Sequence, residues 1–174
     1  SFGLISRTGI LKQSSKLDHV GVFGKTVEDV ALFAKTLIKK DILDEDTIHY
    51  AADEMLEVCK KGPIFEPKFI FYKTSSWKKI SKESQKAFEF LLKEFKKNIE
   101  VFDEPSYFKD IPKYHQIIHE TDMANSFQDY YKKSKKKMGK KLIEAIERGC
   151  KYSAKEYVGA VDFMKQSYKS YSEV

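Results

Sequence analysis

The stretch from Lys68 to Asp103 constrains the fold more than any other part of the sequence. Phe69-Ile70-Phe71-Tyr72 is an unbroken aromatic and β-branched run, the composition of a strand covered on both faces. Ser81 is placed to cap a helix in which Phe88, Leu91, Leu92 and Phe95 recur at i, i+3, i+4 and i+7. Ile99-Glu100-Val101-Phe102 supplies the next strand, and Pro105 ends the unit. Strand, helix and strand in about 35 residues is the size of a βαβ unit with a right-handed crossover. A chain built around such a unit is α/β, or a piece of a larger α/β body.

The flanks add helices. Val20-Gly21-Val22-Phe23 reads as a short buried strand. Thr26 follows as an N-cap with Asp29 as its capping-box partner, and Val27, Val30, Ala31, Ala34, Leu37 and Ile38 form a stripe expected to bury against a sheet. A second helix is expected over Thr47 to Lys60, stopped by Gly62-Pro63. Past Pro105 the pattern is helical. Pro112 sits in a first turn, Tyr114 to Phe127 carry one apolar face, Gly149 ends a shorter helix, and Ser153 caps a last one. About three strands and six helices result. They fall into three segments of one partial domain, residues 1–62, 63–105 and 106–174.

At 174 residues the chain can bury a real core. No apolar run approaches the roughly 18 residues of a membrane-spanning helix, and the first residues lack a signal-peptide core. Cys59 and Cys150 belong to no pairing motif and read as reduced, partly buried thiols, which suits a cytoplasmic protein without a membrane partner. The net charge of +6 invites a nucleic-acid reading. The kind of cation argues against it, because only Arg7 and Arg148 are arginines, and arginine is the bidentate reader of phosphates and bases. A Lys-for-Arg bias with abundant Ile and Phe is what an AT-rich genome produces, and the dense cluster Lys132 to Lys141 reads as a solvated helix junction. No nucleic-acid partner is expected.

The first forty residues carry a further signal. Gly3, Ser6 and Gly9 are followed by Ser15, Leu17, Asp18 and Gly21, then by the run Lys25-Thr26-Val27-Glu28-Asp29 at a helix start. In order and spacing this resembles the segment that follows the nucleophilic serine in the amidase signature family. The second half is similar too, less sharply. Phe69 to Trp77 resembles the family's V-x-F-x-x-T-x-x-W strand exit, and Glu104-Pro105 its acidic-Pro turn. Gly149, Ser153 and Tyr157 match its turn into a long helix. The resemblance implies a fragment of one mixed β-sheet flanked by helices.

It also implies a function. The full-length protein would hydrolyse a carbon–nitrogen amide bond through a serine acyl-enzyme, with a backbone oxyanion hole and neither metal nor organic cofactor. The family's Lys, Ser and Ser lie upstream of Ser1, so no catalytic residue is carried over and the chain alone is expected to be inactive. The substrate is a small-molecule amide, and cut sheet edges would favour self-association into a homo-oligomer. An alternative is the amidase subunit of a glutamyl-tRNA amidotransferase, against which stand the Trp77 segment and the lack of an Asn-Leu-x-Arg run after Glu120. A reading from a different class is a non-catalytic basic α/β module using the lysines near Lys137. One small departure is Lys25, where such enzymes commonly carry Arg.

Several residues look chemical. Ser14, Ser15 and Lys16 are the family's residue types, but three consecutive side chains diverge and cannot converge on one bond. Asp18 is the better candidate: it could accept backbone N–H bonds and hold the nucleophile's loop, or be an ordinary turn former. Trp77, at the sheet-exit end of a strand, is placed either to line the substrate channel or to anchor the core under the next helix. Gly21 to Thr26 is too short for a phosphate loop, having His19 where a glycine is required. His115 and His119 have metal-sharing spacing, yet Gln116 and Ile118 stand where a zinc protease needs Glu, so no metal is expected; Glu120 and Asp122 would complete only a weak site.

Overall fold

The computed structural model describes residues 2–61 and 63–172. Its elements in chain order are α1 (Val27–Leu37), α2 (Met55–Lys61), β1 (Phe69–Lys73), α3 (Lys82–Glu94), β2 (Ile99–Asp103), α4 (Ile111–Ser126), α5 (Gln128–Ser134), α6 (Lys140–Gly149) and α7 (Ala154–Ser172). They form two compact units, one of residues 1–62 with 113–174, the other of residues 63–112.

The smaller unit is the strand–helix–strand piece. β1 and β2 pair in parallel, Phe69 opposite Ile99 through Lys73 opposite Asp103, with α3 between them in sequence. Ser81 caps α3, its hydroxyl accepting the Ser84 N–H at 3.1 Å. Aromatic edges join helix to sheet: Phe69 lies 5.5 Å from Phe95 between ring centroids, and Phe71 5.5 Å from Phe88. Phe108, in the 3₁₀ turn after β2, is fully buried.

The larger unit takes its core from α4, α6 and α7. Ile117 and Ile118 of α4 meet Ala160 of α7, with Leu17, Tyr157 and Met164 packed around them. A second cluster joins Met123 and Phe127 to Ile146 of α6. Gly149 lets α6 finish against α4, because a Cβ there would stand 1.9 Å from the Glu120 carbonyl oxygen. The Thr26 capping box forms as expected, with Thr26 and Asp29 exchanging bonds of 3.1 and 3.2 Å. Ser153 and Glu156 make the same reciprocal arrangement at the start of α7.

Three expectations need correction. Val20 to Phe23 is not a strand. The run finds no neighbouring strand among the described residues, its backbone stays unladdered, and Phe23 is 98% exposed. The helix expected from Thr47 is confined to Met55–Lys61. Thr47 instead closes a loop, its buried hydroxyl accepting the Asp41 N–H at 2.9 Å and reaching the Asp44 carbonyl at 2.7 Å. Local pairing to its own backbone outcompetes the helix there. The apolar stripe of α1 is only partly covered, and not by a strand: Ala31 is buried, Val30, Ala34 and Ile38 are half-buried, and Val27 and Leu37 face outward. The fold is nonetheless α/β, with two strands and seven α-helices among the described residues. Gly62, expected to stop α2, lies outside them.

Candidate functional site

Arg7 organises the N-terminal loop. Its Nε and Nη2 donate to the two carboxylate oxygens of Asp44 at 2.9 and 2.6 Å, and Nη2 also reaches Asp46 at 2.6 Å. Nη1 donates to the carbonyls of Ser15 at 2.9 Å and Asp18 at 3.2 Å. All five N–H bonds of the guanidinium therefore have acceptors, in a side chain that is almost wholly buried. Hydrogen bonds from Arg7 hold the Asp44 carboxyl well below the usual carboxylate range, and the same pairing raises the guanidinium further. Nearby, hydroxyls of Ser6 and Thr8 donate to Asp41 and lower its carboxyl too.

Asp18 turns back on the same loop. Its Oδ2 accepts the backbone N–H groups of Gln13 at 2.7 Å and Ser14 at 3.0 Å. Ser14 is fully buried, and its hydroxyl donates to Asp122 of α4 at 2.6 Å while accepting the Leu17 N–H at 3.2 Å. The other Asp122 oxygen accepts from Tyr157 of α7 at 2.8 Å. Burial, and then the Asp122 carboxylate, push the Tyr157 phenol up to about 12. The loop is thus clamped at one end by a guanidinium and at the other by a buried carboxylate. Beside it lies an open concavity of about 200 Å³ lined by Arg7, Leu11, Gln13, Asp18 and Val20.

A second polar knot lies on α4. Glu120, nearly buried, accepts from Arg148 Nε at 3.0 Å and Nη2 at 2.6 Å, and from Gln116 at 3.0 Å. Burial works to raise the Glu120 carboxyl, but the hydrogen bonds from Arg148 and Gln116 win and leave it lowered. Both arginines of the chain are therefore spent in carboxylate forks. In a sequence that otherwise uses lysine, the presence of arginine at these two positions was the one signal that could have found these forks. Asp44, Asp46 and Tyr157 had no such marker.

The expected decoys separate as follows. Ser14 is sealed against Asp122 and Lys16 is exposed, so the Ser-Ser-Lys run does not converge. His119 Nε2 lies 3.3 Å from Gln13 Oε1, and His115 is biased towards neutrality by burial and then by His119, 5.7 Å away between centroids. Glu120 and Asp122 are engaged elsewhere, and no group of three His, Cys, Asp or Glu gathers as metal ligands among the described residues. Trp77 belongs to the smaller unit, half-buried, 5.4 Å from Phe71 and 5.8 Å from Phe88 between centroids, with its carbonyl accepting from Gln85. No serine hydroxyl in the described hydrogen bonding meets a lysine or histidine base, so this arrangement orders a loop and does not by itself activate a nucleophile.

This architecture is that of the amidases, α/β proteins of the same mixed design. The Amidase family model matches residues 1–172, and the chain belongs to that family. Among curated proteins it is similar to the glutamyl-tRNA(Gln) amidotransferase A subunit of Synechococcus sp. (strain JA-3-3Ab), 46% identical over 48 residues, which are 28% of this chain and 9% of that protein. Among solved structures it superposes on a chain of a vestigial protein complex described as revealing the evolutionary origins of an s-triazine catabolic enzyme. The TM-score is 0.80 and the identity 17%, over 95% of this chain and 35% of that one. An amidase crystal structure matches with TM-score 0.66 and 18% identity, again over 95% of this chain and 35% of that chain. At these identities the structures show the fold. This chain spans about a third of their length. No helix among the described residues is long and apolar enough to cross a membrane.

Proposed function

We propose that this chain is the scaffold portion of an amidase that cleaves carbon–nitrogen bonds of small-molecule amides through a serine acyl-enzyme. The observation that carries this reading is the family match across residues 1–172 combined with the clamp on residues 13–18. Asp18 serves as site support by fixing the turn of that loop through two backbone N–H groups, so that neighbouring catalytic elements meet a rigid surface. Trp77 contributes to the wall of the substrate channel from the end of β1. The nucleophile and its lysine base come from residues outside this sequence. The exposed apolar strands and helix faces favour homo-oligomers, and two free thiols, Cys59 half-buried as expected and Cys150 exposed against expectation, suit the cytoplasm.

A second reading, the amidase component of a glutamyl-tRNA amidotransferase, is favoured by the local identity to the Synechococcus protein. A fluorogenic amide assay on the 174-residue polypeptide should show no turnover above buffer. Serine-dependent turnover would overturn the scaffold reading. In a longer protein containing this chain, glutaminase activity that depends on a partner protein would favour the second reading over the first.

A further inference from the structure

The lysines of residues 132–141 are not explained by coding bias. Bias spreads lysine along a chain, whereas here Lys132, Lys133, Lys135, Lys136, Lys137, Lys140 and Lys141 crowd ten positions with no acidic residue among them. Taking those seven from the 32 basic residues leaves 25 against 26 acidic ones, so the rest of the chain is close to neutral. The entire net charge of +6 is therefore concentrated at the junction of α5 and α6.

The structure shows how little of that charge is neutralised. Lys135 pairs with Glu147 at 2.7 Å, and Lys140 approaches Glu144 at 3.9 Å. Lys132, Lys133, Lys136, Lys137 and Lys141 are exposed and make no ion pair among the described residues, and Asp129 is the one carboxylate on α5. The apolar side of the junction faces inward, since Ile146 is buried and Leu142 and Met138 pack on the core. Between residues 128 and 150 the one large side chain of apolar character that is exposed is Tyr130, at 57%.

We propose that this junction binds the phosphodiester backbone of single-stranded nucleic acid without regard to sequence. Clustered lysines neutralise phosphates and gain from counterion release, and Tyr130, an exposed ring two residues before the first of them on the same helix, offers a face on which a base can stack. Sequence independence follows because both arginines are already held in carboxylate forks, leaving no guanidinium to read base edges. A lipid surface is the poorer match, because the junction presents no exposed aliphatic side chain to insert. The proposal departs from the expectation, drawn from the kind of cation, that this chain has no nucleic-acid partner. This inference is independent of the amidase reading.

The test is fluorescence anisotropy of a labelled 20-nucleotide oligouridylate with the full 174-residue chain. Five engaged lysines predict a slope of log affinity against log salt of about −3.5, hence roughly a hundredfold weakening between 50 and 200 mM KCl. Replacing the five unpaired lysines by Gln should abolish most binding and flatten the slope. Replacing the exposed lysines Lys39, Lys78, Lys86, Lys93 and Lys155 by Gln should leave both nearly unchanged. Tyr130→Ala should weaken oligouridylate several-fold and a duplex of equal length hardly at all. All of these side chains are at the surface, and circular dichroism melts of each variant confirm that the fold is retained. No binding at 50 mM KCl, a salt-insensitive affinity, equal losses in the two lysine sets, or displacement of the oligonucleotide by phosphatidylglycerol vesicles at equal phosphate would each overturn the proposal.

Discussion

The two units are held together by different physics. In the smaller one the contacts are aromatic and local: Phe69, Phe71, Trp77, Phe88 and Phe95 meet within one strand–helix–strand run, and most of them remain partly exposed. In the larger one, buried polar groups join residues far apart in sequence, with Arg7 and Asp44 separated by 37 positions and Ser14 and Asp122 by 108. The apolar pairs tolerate loosening, because each loses area in proportion to what it buries. The polar knots do not, because removing one partner strands the other charge away from water. The clamp is therefore expected to fix the geometry of the loop, while the aromatic layer sets only how tightly the smaller unit closes.

The sharpest way to break this contrast is Arg7→Met. It strands Asp44 in a buried setting and should cost about 3–5 kcal/mol in the larger unit, read as lost hydrogen-exchange protection of residues 6–20 with β1 and β2 unaffected. Acid should act on the same place. Asp44 and Glu120 have folded pKa values depressed below their unfolded ones, so they stabilise the fold above the unfolded carboxylate range. That contribution fades as pH falls below about 4 through their folded values. Exchange measured from pH 6 down to pH 2.5 should release the larger unit first; simultaneous release would remove the contrast.

Gly149→Ala comes next, at about 2–3 kcal/mol, because its Cβ meets backbone and not a movable side chain. A thermal melt within a degree of the parent would show that α6 and α4 are not held at that approach. Asp122→Asn keeps the shape but weakens two charge-assisted bonds, and about 1.5–3 kcal/mol should be lost, with Tyr157→Phe costing about half as much. Pairing the two in a double-mutant cycle should reveal coupling, and strict additivity would contradict a shared knot. The smallest effect belongs to the aromatic layer. Phe88→Ala, at a ring that is 40% exposed, should cost about 1–2 kcal/mol and should leave Arg7-dependent protection unchanged.

The same division explains what could be read from the residues alone. The capping box at Thr26, the caps at Ser81 and Ser153 and the stop at Gly149 are decided within four or five residues, so their signals sit in one window. The pairing of Phe69–Lys73 with Ile99–Asp103 was legible because both strands flank one helix. Val20 to Phe23 has the composition of a strand but lacks a partner to ladder with among the described residues, and composition carries no information about partners. Thr47 was read as helical, yet its hydroxyl prefers the Asp41 and Asp44 backbone, a choice made by the loop's closure. Of the loop clamp, Asp18 was visible as a turn carboxylate. Asp44 was not, and Asp122 and Tyr157 stood out only for other reasons, a weak metal site and a helix-entry pattern, since the pairing of buried polar groups follows no period.

The central claim is that this chain belongs to an amidase framework in which none of its described serines is activated. Treating the purified polypeptide with a fluorophosphonate and weighing it intact tests that claim directly, because the reagent captures only serines made nucleophilic by their surroundings. The account predicts an unmodified mass after prolonged exposure, with Ser14 sealed behind Asp122. A stoichiometric adduct on any one serine, lost on denaturation beforehand, would contradict it.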